Sequence, residues 1–207
     1  MLEHVPHWLG SLMHNVRAGH AKLAIVQDGI VTGDARLELS SLAFADGGRL
    51  PERFTADGEG VSPPLTWRGV PANTAALALL VEDPDAPTPN PLVHAVVWNL
   101  PPEDGSLPEG AIAPDGRGAD NGSDVGRNSY AQEGWLPPDP PTGHGSHDYV
   151  FQLFALESAA AVDVNPGRSA LLDAIRGHVI AAGMLVGTYS RGEEAPVGPA
   201  SASTQVA

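Results

Sequence analysis

The chain contains no cysteine. That excludes a disulfide framework, a thiolate nucleophile and any cysteine-based metal site, and it fits a reducing compartment. Positive charge is scarce: 11 Lys and Arg stand against 25 Asp and Glu, for a formal net charge of −14. So acidic a chain presents no basic face to a nucleic acid backbone or an anionic lipid surface, so neither is an expected partner. Any anion it holds must be gathered by a local pocket, against the field of the whole molecule. No run reaches the roughly 18 apolar residues that a membrane-spanning helix needs. The first residues, MLEHVPHWLG, lack the basic and apolar regions of a secretory signal, so the expected location is the cytoplasm.

Glycine and proline, by contrast, are abundant, at 24 and 20 of 207 residues. They punctuate short strands and break helices, which favours a loop-rich β domain. Trp8, Leu9, Leu12, Met13 and Val16 have helical spacing, so residues 7–26 read as a short amphipathic helix interrupted near Gly19. Its apolar side would suit a partner subunit, and a homodimer is expected. LELSSLAF (37–44), AALALLVED (75–83), LVHAVVWNL (92–100), DYVFQLFAL (148–156) and AGMLVGTYS (182–190) read as strands, and a short strand closes the loop at 65–67. SALLDAIRGHVIA (169–181) reads as a helix, and residues 101–146 hold most of the loop. The expected architecture is an antiparallel-dominated β-sandwich with a few peripheral helices. Its parts are an N-terminal helical extension (1–36), the sandwich (37–191) and a disordered tail (192–207).

The stretch VEDPDAPTPNPLVHAVVWNL (81–100) ends one strand on Asp83 and Asp85 and starts the next with His94. Simple alternation puts His94 on one face with Val96 and Trp98, and His147 on one face with Tyr149 and Phe151. Asp-Pro-Asp is also good turn chemistry, because aspartate caps a turn and proline fixes φ. Against that reading stands a repeat: a proline-rich loop followed by a histidine at a strand start occurs twice, at His94 and at His147. Loops at one end of a rigid sandwich are where binding sites form.

Five blocks, DGEGVSPPLTW (57–67), DPDAP (83–87), HAVVWNLP (94–101), PPTGHGSHDYVF (140–151) and GHVIAAGMLVGTYSR (177–191), resemble the phosphatidylethanolamine-binding protein family, in its bacterial branch related to Raf kinase inhibitor proteins. The resemblance implies a β-sandwich with a small anion pocket at one end, taking phosphate, acetate or a phospholipid headgroup. It implies a binding and regulatory protein, not an enzyme, with no cofactor and with a kinase or peptidase as a possible protein target. By motif position, Asp83, Asp85, His94, His147 and Tyr149 would line the pocket. Pro140, Pro141 and Gly143 would form its rim, Pro84 and Pro87 would shape the wall, and Trp67 would back it.

Two residues depart from the family pattern. Asp139 stands before the proline pair, where Gly or Cys is common, and Asp148 replaces an arginine between His147 and Tyr149. Both make the site more acidic, and the second is expected to leave Asp85 less neutralised. Arg68, Arg117 and Arg127 lie near the blocks but inside no site motif, which leaves His94 and His147 as the anion donors. Such a site weakens as pH rises, because a neutral imidazole offers one N–H and no charge. Two alternatives stand beside the binding protein. One is a scaffold with a vestigial pocket. The other is a metal-dependent hydrolase built on Asp83, Asp85, His94, His144 and His147, although neither HExxH nor a G-x-S-x-G elbow is present.

Overall fold

The computed structural model describes residues 15–113, 124–162 and 165–191. Among these residues ten strands form two sheets. They are β1 (Val31–Arg36), β2 (Glu38–Ser40), β3 (Gly48–Arg49), β4 (Leu65–Arg68), β5 (Ala76–Asp83), β6 (Leu92–Leu100), β7 (Gly105–Leu107), β8 (Asp124–Val125), β9 (His147–Leu156) and β10 (Val179–Tyr189). Among the described residues one α-helix, α1, spans Arg168–Ile175. The large sheet runs β1-β10-β9-β5-β6-β8, with β3 also on β10; the small one runs β2-β4-β7. Pairing is antiparallel except where β1 and β3 join β10 in parallel. Among the described residues no helix is long and apolar enough to cross a membrane.

The central strands are continuous apolar runs because both faces of their sheet are covered. All eight residues of β5 are buried. On one face Leu79, Val81, Val97, Phe151 and Leu153 pack against Leu39, Leu65 and Trp67 of the small sheet. On the other, Leu80, Val96, Trp98 and Phe154 pack against Leu171, Leu172 and Ile175 of α1. Burial of such side chains at about 1.5–3 kcal/mol each drives the assembly.

Several expectations change. Helix α1 ends at Ile175, because Gly177 turns the chain at φ +79°, and the residues from Val179 on alternate as strand β10. The strand foreseen at 37–44 is three residues long, since the chain turns after Ser40 and Ser41 Oγ donates to the Pro64 carbonyl at 2.6 Å. The foreseen N-terminal helix lies outside the described residues up to position 14; from Asn15 to Val26 the chain forms only two 3-10 turns, at His20–Lys22 and Ala24–Val26. Nor is residue 36 a boundary. Strand β1 joins the large sheet, and Gly33 lies so close to it that a Cβ would meet the Ile180 carbonyl oxygen at 2.0 Å. The tail at 192–207 lies outside the described residues.

The same sheet fixes where the chemistry collects. Antiparallel pairing places the end of β5, the starts of β6 and β9 and the end of β10 side by side, with Glu82 opposite Val150, Asp83 opposite Leu92 and His147 opposite Tyr189.

Candidate functional site

Asp83 performs both roles that the sequence left open. Its Oδ1 accepts the backbone N–H groups of Asp85 at 2.8 Å and Ala86 at 2.9 Å, closing the Asp-Pro-Asp turn. Its Oδ2 accepts from His147 Nδ1 at 2.7 Å. The turn thus holds the carboxylate, and the carboxylate holds the imidazole. The far nitrogen of His147 does not face open space: Nε2 lies 2.7 Å from His144 Nδ1, with one proton between the two rings. Asp83, His147 and His144 form a buried chain.

His94 is held differently. The pairing of β5 with β6 slips by one residue, from Val81 opposite Ala95 to Glu82 opposite Val93. His94 is the residue left over, a β-bulge that re-aims one side chain. Alternation would put it with Val96 and Trp98 against α1. The bulge instead turns it to the opposite face, where its ring meets Tyr149 edge-on at 5.0 Å and lies 5.9 Å from Trp135. His94 Nδ1 donates to the Leu136 carbonyl at 2.6 Å. A carbonyl only accepts, so the neutral ring carries its proton on Nδ1, and Nε2 holds a lone pair. That Nε2 is buried without a hydrogen-bond partner, and so is the Tyr149 hydroxyl. Burial lowers the His94 pKa against the opposing pull of Asp83, and burial raises that of Tyr149 well above the phenol value.

His94, His147 and Asp83 open on a cavity of about 330 Å³, whose walls include Pro87, Leu136, Pro137, Asp139, Pro140 and Pro141. That is near the lower end of small-molecule pockets. Of the other foreseen site residues, Gly143 sits in the turn at φ +82°, beside the bond from His144 N–H to the Pro141 carbonyl. Tyr149 packs against both histidine rings. Trp67 is elsewhere: it lies in the core on the small sheet, and its indole N–H donates to the Glu103 carbonyl at 2.9 Å. Trp135, from the long loop, takes the place beside His94; nothing in its sequence neighbourhood marked it.

Asp85 does not line the cavity either. Its Oδ1 meets the Arg17 guanidinium at 2.5 Å, and its Oδ2 accepts the Asp148 backbone N–H at 2.8 Å. The cation absent at position 148 is supplied by Arg17, which also donates to the Ser146 and His144 carbonyls. Residues 17–20 therefore strap the Asp-Pro-Asp turn to the start of β9: Ala18 N–H donates to the Ala86 carbonyl, Gly19 N–H to the Pro84 carbonyl, and His20 meets Asp148 at 3.1 Å. His20, Asp85 and Asp148 are the one acidic and histidine group among the described residues with ligand atoms within 4.8 Å of one another, but both Asp85 oxygens are already engaged. Arg17→Ala should cost about 1 kcal/mol, because its side chain is 30% exposed and screened. The melting temperature should fall by about 2–4 °C. Hydrogen exchange at the Ala18 and Gly19 amides should accelerate first; unchanged protection there would show that the strap holds without Arg17.

A second overlooked cation is Arg191, the last residue of the final motif block. It binds Asp57 through Nε and Nη2, and Nη1 donates to Asp139 at 2.5 Å and to the Pro140 carbonyl at 3.0 Å. The rim carboxylate therefore comes with its own counter-charge.

A family model described as phosphatidylethanolamine-binding protein matches residues 40–190. A protein of Methanothermobacter thermautotrophicus is 42% identical over 158 residues, 75% of this chain and 100% of the relative. Among solved structures, a phosphatidylethanolamine-binding protein homologue from Chlamydia trachomatis aligns at 33% identity with TM-score 0.67, covering 76% of this chain and 99% of that one. YbcL of E. coli, described as a new member of the mammalian PEBP family, aligns at 31% identity with TM-score 0.70, covering 75% and 99%. With the sandwich and the ordered motif blocks, these matches place the chain in the phosphatidylethanolamine-binding protein family.

Proposed function

We propose that the chain binds a small oxyanion, free or as part of a phospholipid headgroup, in the cavity beside His94. Its output is a regulated contact with a partner protein, not a chemical reaction. The observation that carries this is a buried, unpartnered Nε2 on His94, a residue that lines the cavity. A buried polar atom left unpaired costs free energy, and in a native structure it calls for a missing partner. A phosphoryl or carboxyl oxygen is such a partner. Asp83 and Asp139 on the same walls suit the amine of a zwitterionic headgroup. The hydrolase alternative would need free ligand atoms from its Asp and His group, whereas Asp85 is held by Arg17 and both nitrogens of His147 are engaged.

Titration with phosphate, acetate and glycerophosphoethanolamine tests the proposal. His94→Phe keeps a ring against Tyr149 and removes the nitrogen. A charge-assisted hydrogen bond contributes about 1.5–3 kcal/mol, so affinity should fall roughly tenfold or more. Binding unchanged in His94→Phe would place the anion elsewhere, and no binding by the wild type would leave a vestigial pocket.

A further inference from the structure

We propose that this pocket takes up its oxyanion together with one proton, which ends on His94 Nε2 as the donor to a ligand oxygen. The inference rests on the binding function above and specifies its chemistry. The Leu136 carbonyl fixes the neutral tautomer, so Nε2 carries a lone pair on a side chain that lines the cavity. The oxygens of an ionised carboxylate or a phosphodiester also present only lone pairs, and two acceptors cannot pair. One proton from solvent resolves this: free protein, ligand and a proton give a complex in which an imidazolium N–H donates to the bound oxygen.

His147 cannot serve instead. His147 has Asp83 on one nitrogen and His144 on the other. The Arg191 guanidinium is directed to Asp57, Asp139 and the Pro140 carbonyl. The Tyr149 hydroxyl keeps its proton throughout the neutral range, because burial raises its pKa. The groups that face His94 pull in opposite directions. From β5, Asp83 favours the charged ring, as does the Leu136 carbonyl from the long loop; burial, the largest effect, and His147 from β9 oppose it. Asp139 shares the cavity wall, bound to Arg191, and Asp85 lies behind the turn, bound to Arg17. Burial keeps the empty ring neutral at pH 7, and a bound anion adds the one charge that reverses the balance.

The sign follows. If the free ring is neutral and the bound ring charged, affinity is greatest at low pH. It falls about tenfold per pH unit once pH exceeds the free His94 pKa, which lies below the ordinary ~6.5. Glycerophosphoethanolamine is the probe, because its phosphodiester keeps one charge over this range. Calorimetric titration of the wild-type protein near pH ~7.5, in two buffers of different ionisation enthalpy, should report about one proton taken up per ligand bound. In His94→Gln the amide N–H takes the place of Nε2 and donates without charge. That variant should bind with no proton uptake and a flat pH profile. Wild-type binding with no uptake overturns the proton coupling and leaves the binding function standing. Uptake that persists in His94→Gln overturns the assignment to His94. No wild-type binding overturns the binding function itself.

Discussion

Glu82→Ala should destabilise the protein by about 4 kcal/mol, which in a chain of this length lowers the melting temperature by roughly 8–16 °C. Glu82 is fully buried on the α1 face of the large sheet, where its neighbours Leu80, Phe154 and Leu171 are apolar. A carboxylate survives there because donors surround it. Oε2 accepts the Ala24 backbone N–H at 2.8 Å and Gln152 Nε2 at 2.7 Å, and Oε1 accepts Arg168 Nε at 2.5 Å. Arg168 in turn donates through Nη2 to the Lys22 carbonyl. Alanine would leave a guanidinium, a buried amide and a backbone N–H without their acceptor. The loss of one partner of a buried pair costs far more than the pair itself contributes. Glu82→Gln should lose less, since its carbonyl still serves two donors while its NH₂ group faces Arg168. Hydrogen exchange should show the 3-10 turns at 20–26 opening before the sheet, because the Ala24 amide bonds this carboxylate and the Ile25 amide bonds Gln152, which the carboxylate holds. A melting temperature within about 2 °C of wild type would mean that solvent replaces the network at little cost.

How much of this was legible in the sequence follows from what each signal depends on. Strands β5, β6 and β9 are buried on both faces, so their apolar runs announce them and their order fixes the sandwich. Strand β1 is an exposed edge with the sequence VTGDAR, which carries no periodic signal; it is a strand only because β10 supplies a parallel partner. The helix and the last strand share a run of small apolar residues, and only Gly177 separates the two periods. In the site, Asp83, His94 and His147 were visible because proline-rich turns place polar residues at strand ends. The face of His94 was not, because it depends on a one-residue slip between β5 and β6 that neither strand shows by itself. Trp67 and Trp135 are equivalent in type, and only the fold puts the second beside the pocket. Arg17 acts on Asp85 from outside the matched blocks, and Arg191 reaches Asp57 across 134 residues of sequence. A count of charges reveals neither pairing, since an ion pair has no sequence period.

Arg191 carries the second large effect, and its pH dependence separates it from a simple loss of packing. The side chain is 9% exposed and ties the end of β10 to the loop at Asp57 and to the pocket rim at Asp139 and Pro140. Tyr189 adds its hydroxyl to Asp57 at 2.8 Å, so the carboxylate of Asp57 accepts from two residues at once. The bond from Arg191 is the main cause that holds the Asp57 carboxyl below its usual value, against the opposing effect of burial. Arg191→Met keeps the packing volume of the stem and removes the charge. It should cost about 3 kcal/mol near neutrality, or roughly 6–12 °C in melting temperature. A carboxyl with a depressed folded pKa contributes stability that is fully present above its unfolded value, about 3.9, and is lost as pH falls through the folded one. The gap between wild type and Arg191→Met should therefore be widest from about pH 6 to 8 and should narrow below about pH 4. Since Asp139 lines the cavity, loss of its guanidinium also leaves more negative charge facing the ligand, and anion affinity should fall in the same variant. A gap that stays constant down to the acid limb would show that Arg191 acts through packing alone. Undiminished anion affinity would show that the charge of Asp139 does not reach the ligand.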